Sequence, residues 1–227
     1  MISWEGGLTL KAGQTAYKTV DGVRYQCALF PLDYLYCTQV AGSGSYSHCC
    51  GTATDWVGRT SNYPYYAPVD CRRVSLGGSD NIARYISDRV VLTPSGPKYI
   101  AFLFMHDDNP PSKTTFKQGE VIGHTGTAGF VTGDHVHLDE CFGQSIVLTT
   151  DGTVCPAGNT CYYVENGVKP TEMFFITDDD TLANLEGQTF TKLTDYVPGQ
   201  DSSAPNLLWM AVGLSAGKKS YLKIGKG

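Results

Sequence analysis

With 227 residues, a formal net charge of −5 and 17% charged side chains, the chain suits one medium domain with a sizeable core and is too acidic for a general nucleic-acid binder. Its 26 glycines and 14 tyrosines, beside few strong helix formers, argue against a coiled coil or helical bundle. No run of 18 apolar residues occurs, so no membrane insertion is expected, and the opening MISWEGGLTLKAGQ lacks the basic-then-apolar order of a secretory signal.

Short aromatic and β-branched segments recur between Gly, Pro, Asn and Asp punctuation. They predict strands over Val23–Phe30, Ala53–Gly58, Val69–Leu76, Arg89–Leu92, Tyr99–His106, Val121–His124, Val136–Phe142 and Ser145–Thr149. Asp80–Ser87, capped by Ser79 or Asp80, reads as a short helix, and Thr171–Phe175 after Pro170 as another. The expectation is a mainly β protein, an antiparallel sheet with few short helices. A soft boundary falls near residue 176, giving a main domain over 1–176 and an extension over 177–227. The extension holds the acidic Thr177–Asp180, the apolar Asn206–Leu214 and a lysine- and glycine-containing end, which fits extra strands packing on the main domain or a docking element.

Eight cysteines stand at 27, 37, 49, 50, 71, 141, 155 and 161, with no C-x-x-C pair, which disfavours a zinc knuckle or a thioredoxin-like centre. Cys155 and Cys161 flank a turn-forming Pro-Ala-Gly-Asn-Thr and either bridge a hairpin or remain reduced, partly buried thiols.

Five histidines are present: His48, His106, His124, His135 and His137. On an extended strand, His135 and His137 share one face and leave Val136 and Leu138 for the core. Such a pair can supply a metal ligand and a neighbouring acid/base group, although an H-x-H pair alone is weak evidence. The glycine loop Gly123–Gly133 lacks the Gly-Lys-Ser/Thr ending of a phosphate loop.

The stretch from Phe116 to Asp139 (FKQGEVIGHTGTAGFVTGDHVHLD) resembles the C-terminal signature of the lysostaphin/LytM-type metallopeptidases, the M23 family of zinc endopeptidases of bacterial cell walls. Gly119, Ile122, Gly123, Gly126, Gly129, Gly133, His135, His137 and Asp139 fall into its register. Upstream, His48 and Asp55 match the family's first His and Asp, but with six residues between them instead of three. Tyr66-Ala-Pro and the strand-ending His106 follow in the family's order, so the resemblance covers about residues 40–142.

The resemblance implies a twisted antiparallel sheet with a groove walled by loops. It also implies one Zn2+ per chain, held by His48, Asp55 and His137, with one position open. His106 and His135 would then divide the general-base and oxyanion or leaving-group roles, in an order the sequence leaves open. Asp139 either orients His137 or His135, or is exposed. Other readings are a Cys49 or Cys50 ligand, a turn-capping Asp55 and a surface His106. His124 reads as a groove-wall or strand-surface residue, and Tyr63, Tyr65 and Tyr66 as groove lining or edge packing. The implied activity is cleavage of peptide cross-links in bacterial peptidoglycan, by a phage endolysin or a virion tail-associated lysin. Its partners would be the peptidoglycan peptide and phage tail proteins, and its location the host cytoplasm until lysis, or the virion. The alternative is a catalytically silent structural adaptor of the same family.

Overall fold

The computed structural model describes residues 8–42, 45–169, 172–176, 182–184, 208–213 and 219–224. Eight strands build the central sheet: β1 (Cys37–Gln39), β2 (Thr54–Trp56), β3 (Cys71–Gly77), β4 (Ile82–Ser87), β5 (Ile100–Met105), β6 (Thr115–Phe116), β7 (Val136–Phe142) and β8 (Gly167–Val168). Their order is β6-β3-β4-β5-β7-β2-β1, with β8 also on β7. Every pairing in this sheet is antiparallel. One edge of β7 is therefore shared, β2 taking Val136–Leu138 and β8 taking Glu140 and Cys141.

β5 is apolar at every position and buried at every position, which is what a central strand covered on both faces requires. Alternation sends Ile100, Phe102 and Phe104 into the larger core, with Trp56, Tyr85, Val136 and Leu138. Ala101, Leu103 and Met105 face the other way, under Ile146 and Val164. Each large side chain so buried contributes about 1.5–3 kcal/mol. The Val121–His124 strand has the predicted bounds and pairs with Pro64–Tyr66. It closes the larger core through Ile122 and Tyr65, whose ring lies 4.6 Å from Phe104.

The first predicted helix is a strand, and of the second Glu172 is in a 3-10 turn while Phe174 and Phe175 are in a strand. In Ile82–Ser87 the side chains alternate, Ala83 and Tyr85 entering the core, and both edges pair, with β3 and with β5. That two-residue period outweighs the capping signal of Ser79 and Asp80, which sit in the β3–β4 turn beside Gly78 at φ +83°. Phe174–Ile176 pairs with Leu182–Asn184 across the expected boundary, Phe174 and Phe175 being buried; residues 170 and 171 lie outside the described residues. Farther on, Leu208–Gly213 and Lys219–Ile224 form an antiparallel pair, while the acidic Thr177–Asp180 lies outside the described residues. Among the described residues there is no α-helix, and no helix long and apolar enough to cross a membrane.

Cys155 and Cys161 neither bridge each other nor remain reduced. Cys155 bonds to Cys49 and Cys161 to Cys50, across sequence separations of 106 and 111 residues. The turn between Cys155 and Cys161 lies against the Cys49–Cys50 corner, where the Cys49 and Cys50 amides point at the Cys155 and Cys161 sulfurs. Cys27, Cys37, Cys71 and Cys141 are buried free thiols.

Candidate metal centre

The centre is assembled where β5, β7 and β2 lie side by side. On β7, Val136 and Leu138 enter the larger core, which turns His137 and Asp139 to the opposite face. Asp55 on β2 is the direct cross-strand partner of His137, so the two side chains stand on the same face. His48 comes from the loop before β2, where its amide donates to the Ser45 hydroxyl at 3.0 Å. All three side chains are buried.

Asp55 Oδ1 lies 3.4 Å from His48 Nε2 and 3.2 Å from His137 Nδ1, and the donor atoms of the three residues are all within 4.8 Å of one another. That oxygen is buried and has no hydrogen-bond partner. The His48 and His137 rings meet at 4.7 Å and 86°, so their ring nitrogens converge on Asp55 without stacking. A buried carboxylate oxygen facing two ring nitrogens needs a positive partner, which is either a protonated His137 or a metal cation. Two imidazoles and one carboxylate are also a donor set that zinc accepts. The residues fit the ion.

The other two histidines stand beside this group. His106 follows β5, one residue beyond the Met105–His137 pair, at φ +80°, a backbone conformation strained for any residue but glycine. The strained turn is held from several sides. The His106 amide donates to the Asp80 carbonyl, the Ala128 amide donates to the His106 carbonyl, and His106 Nδ1 meets the Ala128 carbonyl at 2.8 Å. A Cβ on Gly126 would lie 2.2 Å from the His106 carbonyl oxygen, so this loop position must be glycine. His135 Nδ1 meets the Gly133 carbonyl at 2.8 Å. Carbonyls only accept, so Nδ1 carries a hydrogen in both rings, which in a neutral ring leaves the lone pair on Nε2. The His135 Nε2 lies 3.7 Å from Asp55 Oδ1, and the His106 and His135 rings are 4.7 Å apart.

Burial lowers the pKa of His48 to about 4, against the pull of Asp55. Burial and the neighbouring His135 likewise bring His106 to about 4. Burial opposes charge on Asp55 too, but His48 and His137 outweigh it and hold the carboxyl well below the usual range. His137 behaves differently: burial disfavours its cation, yet Asp139 and Asp55 on either side raise it to about 9. Near neutral pH, the metal-free site holds neutral His48 and His106 beside a His137–Asp55 ion pair.

The remaining candidates separate clearly. Asp139 is fully buried, accepts from the Thr52 hydroxyl at 3.2 Å and lies 3.8 Å from His137 Nε2; it is neither exposed nor beside His135 in these contacts. Cys49 and Cys50 are committed to disulfides and are not ligands. Asp55 is buried within β2 instead of capping a turn, and His106 is buried instead of lying on the surface. His124 and the three tyrosines do not line the groove. The His124 amide donates to Asp107, Tyr65 is core, Tyr63 packs at its edge with its hydroxyl on Asp33, and Tyr66 is half-buried.

A groove of about 440 Å³ opens over the histidines. One wall comes from the 128–133 loop, with Phe130 exposed at its rim. The lining also includes Leu148, Asn159, Thr160 and Tyr162, from the segment that the two disulfides fasten next to His48. The sequence reading missed this segment and missed Gln39, which also lines the groove. The sequence offers only the Cys-Cys doublet beside His48 and two later cysteines, without their connectivity.

No protein-family model matches the chain. Over 129 residues it is 38% identical to Morphogenesis protein 1 of Bacillus phage B103, a match covering 54% of this chain and 35% of the phage protein. The chain thus spans about a third of the length of that curated relative. Among solved structures, a zinc-containing peptidase from Vibrio cholerae is similar at a TM-score of 0.41 and 18% identity, over 56% of this chain and 43% of the other. The antimicrobial peptidase lysostaphin from Staphylococcus simulans is similar at a TM-score of 0.38 and 15% identity, over 73% of this chain and 95% of that one. Its catalytic domain gives 0.35 and 19%, over 49% and 80%.

Proposed function

We propose that this chain is a zinc-dependent endopeptidase that hydrolyses peptide cross-links of bacterial peptidoglycan as part of a bacteriophage particle. The observation that carries the reading is the convergence of His48, Asp55 and His137 around one buried carboxylate oxygen, flanked by two histidines whose Nδ1 atoms are tied to carbonyls. The resemblance of Phe116–Asp139 to the M23 signature names the reaction class, and the phage relative's name supports a role in the particle.

Zinc bound by His48, Asp55 and His137 would act as a Lewis acid, polarising the scissile carbonyl and activating water. With Nδ1 donating to a carbonyl in each ring, His106 and His135 act through Nε2, and burial keeps His106 neutral. One can take the proton of the attacking water on Nε2 and return that same proton to the leaving amine; the other, when its own Nε2 carries a proton, can hydrogen-bond the oxyanion. The backbone carbonyls of Ala128 and Gly133 fix both rings in the tautomer this needs. Met105, Phe130, Leu148 and Tyr162 offer apolar surface along which an extended peptide can lie.

Zinc analysis of the purified chain, paired with zymography on cell walls, tests the reading. One zinc per chain and a clearing zone lost in His137→Ala support it. Absence of zinc together with intact walls overturns it in favour of the adaptor alternative.

A further inference from the structure

Gln39 is on the strand next to Asp55, and a bulge aims it. Cys37 pairs with Trp56 and Gln39 pairs with Asp55, so three residues of β1 span two of β2. In a regular strand Cys37 and Gln39 would share a face. Here Cys37 enters the larger core with Trp56, whereas Gln39 lines the groove with Asp55. An inserted residue that re-aims a side chain is a recurrent device beside active sites.

The redirected amide uses both of its N–H groups. Gln39 Nε2 donates to the Ser47 hydroxyl at 2.7 Å and to Asp55 Oδ2 at 3.2 Å. The amide oxygen cannot face Asp55, because two acceptors would oppose each other. Asp55 Oδ2 is thereby occupied, while Oδ1 faces His48 and His137 without a donor. Ser47 is the residue before His48, so one side chain connects the carboxylate on β2 to the loop that carries an imidazole. A lysine could reach the same atoms, but its charge would compete with a metal for the carboxylate. A neutral amide orients Asp55 and leaves its charge available.

We propose that Gln39 is a positioning residue of the metal centre, holding Asp55 as a one-oxygen ligand and keeping it in register with His48. This rests on the zinc site proposed above and adds a residue that does not touch the ion. Outer partners of this kind typically contribute about 10–100-fold in metal affinity.

The test is zinc affinity of the purified full chain, by competition with a chromophoric chelator, for wild type, Gln39→Ala, Gln39→Asn and Gln39→Glu. Loss of about 10–100-fold is expected in Gln39→Ala. Gln39→Asn, one methylene shorter, cannot span both partners and should lose nearly as much. Gln39→Glu keeps the shape but sets a carboxylate against Asp55, so it tests the idea even if Gln39→Ala folds poorly. Visible absorption of the Co2+-loaded proteins reads the ligand geometry, which a merely structural role would leave unchanged. A spectral shift in Gln39→Ala relative to wild type is the expected result. Zinc affinity within threefold of wild type in both Gln39→Ala and Gln39→Glu, with unaltered Co2+ spectra, overturns the proposal and leaves the metal centre standing. Failure of the wild-type chain to bind zinc removes both.

Discussion

Zinc binding should expel about one proton, and that proton should come from His137. In the metal-free protein its ring lies between two carboxylates, Asp55 Oδ1 at 3.2 Å from Nδ1 and Asp139 Oδ2 at 3.8 Å from Nε2, which raises its pKa from 6.5 to about 9. A metal binds only the neutral ring. At pH 7, about two units below that value, roughly one chain in a hundred has His137 neutral, so apparent affinity is about 100-fold weaker than at high pH. Between about pH 6.5 and 8.5 it should rise close to tenfold per unit. His48, lowered to about 4, and Asp55, held below the usual range, add no slope in that window. Calorimetric titration of the metal-free chain with Zn2+, in buffers of different ionisation enthalpy, counts the protons released. Asp139→Asn should move the dependence to lower pH. Affinity that is flat from pH 6.5 to 8.5, or binding with no proton released, would refute the reasoning. The stability corollary has a definite sign. The folded pKa of His137 lies above its ordinary 6.5, so its ion pairs stabilise the metal-free fold fully below pH 6.5 and fade as pH rises through about 9.

His106→Gly should be more stable than His106→Ala by about 1 kcal/mol in urea denaturation, because the position sits at φ +80° and only glycine takes that conformation without strain. Equal midpoints would mean the backbone strain is absent. Replacing either His106 or His135 by Ala should leave zinc stoichiometry intact and lower peptidoglycan hydrolysis on the order of 10²–10⁴-fold, measured by dye release from labelled walls. A variant that keeps most of its turnover removes that residue from the acid/base pair. Breaking the Cys49–Cys155 bridge by Cys155→Ser should lower unfolding free energy by about 2–3 kcal/mol, since with Cys50–Cys161 intact it closes only the short ring through residues 155–161. An unchanged denaturation midpoint would show that the bridge constrains nothing.

Much of the sheet was legible because its strands obey a two-residue period. Val121–His124 and Val136–Phe142 have the predicted bounds, and the latter fixes which face His137 takes. Ile82–Ser87 carries the same alternation, but Ser79 and Asp80 imitate a helix cap, and the pairing partners on both edges that settle the matter are distant in sequence. The unusual spacing of His48 and Asp55 has a visible cause in the structure. Cys49 and Cys50 turn the chain toward their disulfides, and Gly51 lies so close to Tyr163 that a Cβ there would approach its side chain to 2.9 Å. Disulfide connectivity does not follow from cysteine spacing alone, so the part of the groove lining that the disulfides fasten was hidden with it. Gln39 was hidden for a related reason: a one-residue bulge reverses which side chains face the groove, and no residue type in Cys37–Gln39 announces it.

Zinc-edge X-ray absorption on the purified wild-type chain tests the central claim most directly. One zinc surrounded only by nitrogen and oxygen at about 2.0–2.2 Å, with an imidazole signature, is the predicted result. A sulfur shell at about 2.3 Å would instead put the ion on cysteines and contradict a centre built from His48, Asp55 and His137.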